Sequence, residues 1–440
     1  MKSSCLFSNI TIVTANEQAQ VTALPEAWVA VRDGVISYAG LVEAKARDTL
    51  RDISYESYDG RKKLLLPAMA NTHGHTPMTL FRNQADDRIL QDWLFNVIFP
   101  REERLNQQTV YWGTMLGLAE MIRNGMGATA DMYYFNEASV QAALETGFRM
   151  NLCCDAKRKD VDGKIQVVPE LLENDLQAYQ HHPSGLLRVS LLIHSVYLYE
   201  ERLYPILADL ARSLDCGVQV HVSETRKEVE DCLAKYGCRP PRQLEKFGFF
   251  QTPTIAAHCV HLDDDDREVL ASHPILVAHN PSSNLKLGSG IADLAAMLKA
   301  GIKIGLGTDG AASNNNLDLY REMRLASFLA KGSSGDAALL SAPELLDMAT
   351  RQGMLGLGFA GSGRVAAGYL ADLQVVDYDR PAMTPLGDPV SALVYSADGG
   401  SVESLMVDGC WLMRKRELMT IDSDRVLFEA GREARYLNGN

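Results

Sequence analysis

One pattern governs what this chain can fold into. Between residues 64 and 310 a short apolar run ends at a polar or charged residue, breaks at Gly or a polar group, and gives way to a helical stretch. The runs are 64–75 (LLLPAMANTHGH), 128–132, 149–156, 188–195, 217–224, 254–261, 275–280 and 303–310 (KIGLGTDG). Strands apolar on both faces need cover on both, as in parallel sheets with crossover helices. The intervening segments supply those helices: in VYWGTMLGLAEMIRNG, Tyr111, Met115, Leu118 and Ile122 recur at three- and four-residue steps, and Gly125 closes the end. The repeats predict an α/β fold, a (β/α)8 TIM-like barrel over residues 64–365.

The flanks have a different rhythm. Near the start, AWVAVRDGVISYAG is a hairpin turning at Asp33-Gly34, and near the end Asp408-Gly409 turns a second one. Residues 1–63 plus 366–440 are therefore expected to form one composite β-sandwich domain built from both termini.

Composition narrows the function. With 43 Lys+Arg against 56 Asp+Glu the net charge is -13, so the average surface repels nucleic acid. No stretch of about 18 apolar residues suits a membrane span, and the opening residues lack a signal-peptide core. A cytoplasmic enzyme on a small-molecule substrate is the expectation, with no nucleic-acid or membrane partner. The eight Cys lack zinc-finger spacing and are read as free thiols.

A barrel places its chemistry where strands end. His73 and His75, spaced i and i+2, point the same way from an extended segment and can grip one cation. His221 ends GVQVHVSE, with Glu224 three residues on, and Asp309 ends KIGLGTDG. Three neutral nitrogens and one carboxylate suit Zn2+, with Fe2+ an alternative. The fourth run, RVSLLIHS, carries no Lys to bridge a second metal, so one ion is expected. His258 ends the sixth run, placed to hydrogen-bond the attacking water. His279 is a candidate to act from behind the site.

Other motifs carry less. GLGTDG (305–310) spells a dinucleotide fingerprint, but it lies late in the chain and Asp309 would face the pyrophosphate, so its glycines are read as admitting close backbone approach to the site. HExxH and the HxE with PCxxC signature are absent, which argues against zincin proteases and the small zinc deaminases. Asp263 to Asp266 read as acids at a helix N-terminus.

The stretches NTHGHTPMTLFRNQADD, HVSETRKEVEDC, AAHCVHL, VAHNPSSNLKLGSGIA and GLGTDGAASNNNLDLYREMRLAS resemble the amidohydrolase superfamily, and within it the 5′-methylthioadenosine/S-adenosylhomocysteine deaminases. The resemblance implies one zinc on His73, His75, His221 and Asp309. It also implies substrate contacts from Glu102, to the ribose hydroxyls, and from His194, with Glu224 and Asp309 on the substrate as well. A homo-oligomer is expected on this ground alone. Cys154 stands where relatives usually carry Arg, and Leu192-Ile193 where many have Gly-Pro; both changes are expected on the substrate side.

The expected reaction is hydrolytic deamination of an adenine nucleoside to its inosine analogue plus ammonia. Glu224 would protonate ring N1, while Asp309 and His258 orient water and move its proton. The alternative keeps the site and changes the substrate to a free base, pterin or triazine. A metal-free barrel that binds a partner is the non-enzymatic alternative, opposed by the presence of every proposed ligand.

Overall fold

The computed structural model describes residues 2–84, 86–160 and 162–439. Each apolar run of the middle contributes a strand to one sheet: β1 (Met69–Asn71), β2 (Met126–Asp131), β3 (Arg149–Cys154), β4 (Leu187–Leu192), β5 (Gly217–Val222), β6 (Thr254–His258), β7 (Ile275–His279) and β8 (Lys303–Leu306). These strands pair in parallel in chain order. The Thr72 N–H donates to the Leu306 carbonyl at 2.9 Å and the Asp309 N–H to the His73 carbonyl at 3.0 Å, which brings the last strand against the first and completes the barrel.

Local chemistry explains the boundaries. The helix Gln107–Arg123 begins at Asn106, whose side chain accepts from the Gln108 and Thr109 N–H groups while the Thr109 hydroxyl accepts from the Asn106 N–H. Such a cap contributes about 1 kcal/mol. Past its end the chain turns at Gly125, φ +79°, where a Cβ would collide with the Gln374 amide. Asp263 likewise caps the helix Asp264–Ala271, with Asp266 as the reciprocal partner.

The termini build a nine-stranded mixed sheet. Its seam is an antiparallel pair, Lys63–Pro67 against Leu373–Asp377, flanked on one side by Cys5–Ala15 and on the other by Val402–Val407. Alternation along the seam divides the faces: Leu64, Leu66 and Val376 join the barrel's core, whereas Leu65 and Val375 pack with Phe7, Val29 and Met406 in the sheet's own. Asp33-Gly34 and Asp408-Gly409 are the turns of two hairpins, with Asp33 and Asp408 left-handed.

Two features depart from the sequence reading. The run 64–75 is not one strand. Lys63–Pro67 belongs to the terminal sheet, and at Ala68 the backbone changes partners, with Ala68 N–H on the Asp372 carbonyl and Met69 N–H on the Gly125 carbonyl, both at 2.9 Å. An unbroken apolar run has nothing to mark such a change. Also, the last helix, Ser423–Leu437, leaves the sheet and packs Ala430 and Leu437 with Leu80, Phe81, Leu90 and Trp93 beside the barrel. Among the described residues no helix is long and apolar enough to cross a membrane.

Candidate active site

The C-terminal ends of the strands surround a cavity of about 750 Å³. The segment leaving β1 carries His73 and His75; β5 carries His221, with Glu224 just beyond it; β6 ends on His258; and Asp309 follows β8. Two of these residues reach the centre through left-handed backbone, His258 at φ +72° and Asp309 at φ +58°, a conformation that costs energy outside glycine. Gly307 explains its own motif: a Cβ there would sit 3.0 Å from the His73 backbone nitrogen.

The imidazoles form a compact group. Ring centres of His73 lie 4.9 Å from those of both His75 and His221, and His75 lies 5.5 Å from His221. One nitrogen from each of these three falls within 4.8 Å of the others, and the same holds for ligating atoms of His73, His258 and Asp309. Asp309 Oδ1 is 3.4 Å from His73 Nε2 and 3.3 Å from His75 Nε2. The structure thus brings together the four residues read from sequence as ligands and places His258 beside them.

Hydrogen bonds orient the rings. His75 Nδ1 meets the Met132 carbonyl at 2.5 Å and His221 Nδ1 meets the His194 carbonyl at 2.7 Å. A proton held on Nδ1 leaves the Nε2 lone pair for the cluster. His258 Nδ1 donates to Asn284 Oδ1 at 2.8 Å, which sets its free nitrogen towards Glu224, 3.9 Å away. His73 is fully buried and neither of its ring nitrogens has a hydrogen-bond partner. Buried polar groups are normally paired. A divalent cation among these rings and the carboxylate would supply the missing partner, and the donor set fits one.

Charge follows burial and proximity. Burial holds His73 down to about 4 and, with the neighbouring histidines, holds His221 well below its ordinary value, so both are neutral. Burial also opposes charge on His75, but Asp309 prevails and lifts it to about 9, so its Nε2 holds a proton against Asp309 that a cation would displace on binding. Against its own burial, Asp309 is held well below the usual carboxylate range by His73 and His75. Glu224 behaves oppositely: burial raises it, and Ser289 donates to its Oε1 at 3.2 Å. A buried carboxyl raised in this way, beside one held down, is suited to proton donation.

Around the floor, the cavity is lined by Glu102, whose carboxyl burial pushes up, and by His194, which burial and nearby histidines bring down to about 3. Trp93, Phe99, Tyr133 and Tyr199 add aromatic walls. His279 lies outside this lining, buried at the end of β7 with Nδ1 unpaired. Cys154 requires a correction: it is fully buried in the barrel core and does not line the cavity. Leu192 does line it, whereas Ile193 turns into the core. In place of a cation at Cys154, a hairpin of Lys157–Lys159 and Ile165–Val167 brings Lys157, Arg158 and Lys159 to the cavity. Lys157 is already engaged by Asp155 at 2.6 Å and the Leu192 carbonyl at 3.0 Å; Arg158 and Lys159 are exposed.

Sequence reasoning missed the groups that steer this centre. Glu228 accepts from the backbone N–H groups of Ser223 and Glu224 at 2.9 and 2.8 Å, which fixes the turn that aims Glu224. Its signal was present as a Thr225-x-x-Glu228 spacing, a helix-start pattern. Asn284 and Ser289 sit in the NPSSNLKLGSG segment read only as a shaped loop.

Comparisons agree with this geometry. The sequence profile of the amidohydrolase family matches residues 64–412. A 5-methylthioadenosine/S-adenosylhomocysteine deaminase of Acetivibrio thermocellus is 42% identical over 425 residues, covering 96% of this chain and 97% of that protein. A crystal structure of a Xanthomonas campestris adenosine deaminase with bound zinc superposes with a TM-score of 0.92 at 30% identity, over 100% of this chain and 99% of that one. An atrazine chlorohydrolase of Arthrobacter aurescens shares the fold at a TM-score of 0.88 and 23% identity, over 98% of this chain and 100% of that one. With a family profile spanning most of its length and a histidine cluster where that fold places its chemistry, the chain belongs to the amidohydrolase family.

Proposed function

We propose that this protein is a zinc-dependent hydrolytic deaminase of adenine nucleosides, with 5′-methylthioadenosine and S-adenosylhomocysteine as the substrate class. The observation that carries the reading is geometric: His73, His75, His221 and Asp309 converge on one point, with the buried Glu224 carboxyl 3.9 Å from His258 in the same cavity. His73, His75, His221 and Asp309 would hold the metal. When bound, zinc lowers the pKa of water towards about 7 and so makes a nucleophile available at neutral pH.

The chain's own groups do the rest. Glu224 delivers a proton to ring N1, which makes C6 electrophilic. His258, its tautomer set by Asn284, accepts a hydrogen bond from the attacking water. A C6–O bond forms and the C6–N bond breaks. Of the two protons that water gives up, one is left on N1 and the other on ammonia. Glu102 takes the ribose hydroxyls, and His194 contacts the base. The aromatic walls exclude solvent and leave room for a 5′ substituent. The 42% identity to a deaminase named for these two substrates supports the choice within the family.

The test is ammonia release from a panel of methylthioadenosine, S-adenosylhomocysteine, adenosine, adenine, guanine, cytosine and an aminotriazine. Highest kcat/KM on the adenine nucleosides is expected. Preference for a free base or triazine would replace this reading with that of another heterocycle aminohydrolase.

A further inference from the structure

The cluster leaves unexplained why Asp309 offers Oδ1, and not both oxygens, to the histidines. Its other oxygen, Oδ2, accepts two hydroxyl hydrogen bonds, from Ser283 at 2.6 Å and from Ser313 at 2.9 Å. These serines ride on separate short helices, Pro281–Lys286 and Ala311–Asn314, from different βα loops. One direct tie joins them away from the carboxylate, Lys286 Nζ donating to the Ala312 carbonyl at 3.2 Å.

Glu322 supplies a second, buried link next to the serines themselves. It projects from the helix Leu319–Ser334 and is 1% exposed, behind the site and outside the cavity lining. Its Oε2 accepts from the Ser282 N–H at 3.1 Å and its Oε1 accepts from the Asn314 side-chain amide at 2.9 Å. Each contact is one residue from a serine on Asp309. We infer that Glu322 is a positioning residue: it clamps the two serine-bearing loops together, and through Ser283 and Ser313 it fixes which Asp309 oxygen faces the metal position.

This inference rests on the metal reading of the site. Glu322→Gln keeps the volume but puts an NH2 where an acceptor stood, so a donor faces either the Ser282 N–H or the Asn314 amide and one arm of the clamp is lost. Loss of such outer partners typically weakens metal holding by about 10- to 100-fold.

The experiment measures the rate at which an excess chromogenic chelator strips zinc from the folded, loaded enzyme. E322Q and the pair S283A/S313A should each speed zinc loss by about tenfold or more, and the triple variant should match the worse of the two within about twofold, because both changes act through the same hydrogen bonds. A merely structural glutamate gives multiplied losses in the triple variant, and that result overturns the inference, as does an unchanged rate in E322Q. If E322Q fails to fold, N314A with S313A is run through the same cycle, with the same non-multiplying result expected and multiplied losses overturning it. A wild-type chain that binds no zinc overturns the reading of the site itself, which separates that failure from this one.

Discussion

Arg149, the first residue of β3, and Asp372, which leads into the terminal-sheet strand Leu373–Asp377, are joined by two hydrogen bonds of 2.6 and 3.0 Å with both residues 2% exposed or less. The Asp408 N–H and the Ser362 hydroxyl complete the carboxylate's partners. The pair ties the barrel to the sheet built from both termini.

Breaking one side of this pair leaves a buried charge uncompensated. Arg149→Met and Asp372→Asn should each lower unfolding free energy by about 3–5 kcal/mol, whereas R149M combined with D372L should recover part of the loss. Urea midpoints of the four proteins check this.

The same pair predicts a pH response. Burial works against the Asp372 charge, but Arg149 and the surrounding donors outweigh it and hold the group below its ordinary 3.8. The unfolded chain therefore takes up this proton first as pH falls. The pair's contribution is complete above the unfolded value and is lost as pH drops towards the depressed folded one. Between pH 5 and pH 3, wild type should lose more stability than D372N, as read by urea midpoints across that range.

Glu224→Gln keeps the shape and the contact with Ser289 but removes the transferable proton. Turnover should fall by about 10²-fold or more with zinc content unchanged. Paired kinetics and metal analysis decide it; full activity would remove Glu224 from the proton path.

His73→Ala and His221→Ala should purify with little zinc, and dialysis of wild type against a chelator should abolish activity that added zinc restores. Tight zinc in the double variant would contradict the ligand set. Metal analysis by plasma spectrometry provides the reading.

The exposed cations at the outer end of the cavity predict a split between substrates. R158A and K159A, made singly, should each raise KM for S-adenosylhomocysteine by roughly 2- to 5-fold, the scale of exposed ion pairs, and leave methylthioadenosine unaffected. Equal effects on both substrates would mean that these cations do not meet the homocysteine carboxylate, which S-adenosylhomocysteine carries and methylthioadenosine lacks.

The apolar runs were legible because a barrel strand must be apolar on both faces, and residues at or just past its C-terminal end are exempt where they meet the cavity. His221, His258 and Asp309 stand out for that reason. Direction around the strand was less legible: alternation says that Cys153 and Cys154 oppose each other, but not which of them faces the cavity. The left-handed backbone at His258 and Asp309 left no compositional trace, since neither position uses glycine. Glu322 was invisible because its partners come from residues 282 and 314, which are neighbours only once β7 and β8 have paired.

The seam between Lys63–Pro67 and Leu373–Asp377 sets an order on biosynthesis. The N-terminal strands leave the ribosome with that edge open, and roughly 15–60 s of translation at about 5–20 residues per second pass before the partner strand emerges. An open edge is a template for pairing with another nascent chain. Pro67 has no N–H to offer at one end, and the ammonium of Lys63 charges the other, so the waiting edge is guarded at both ends until its own partner arrives.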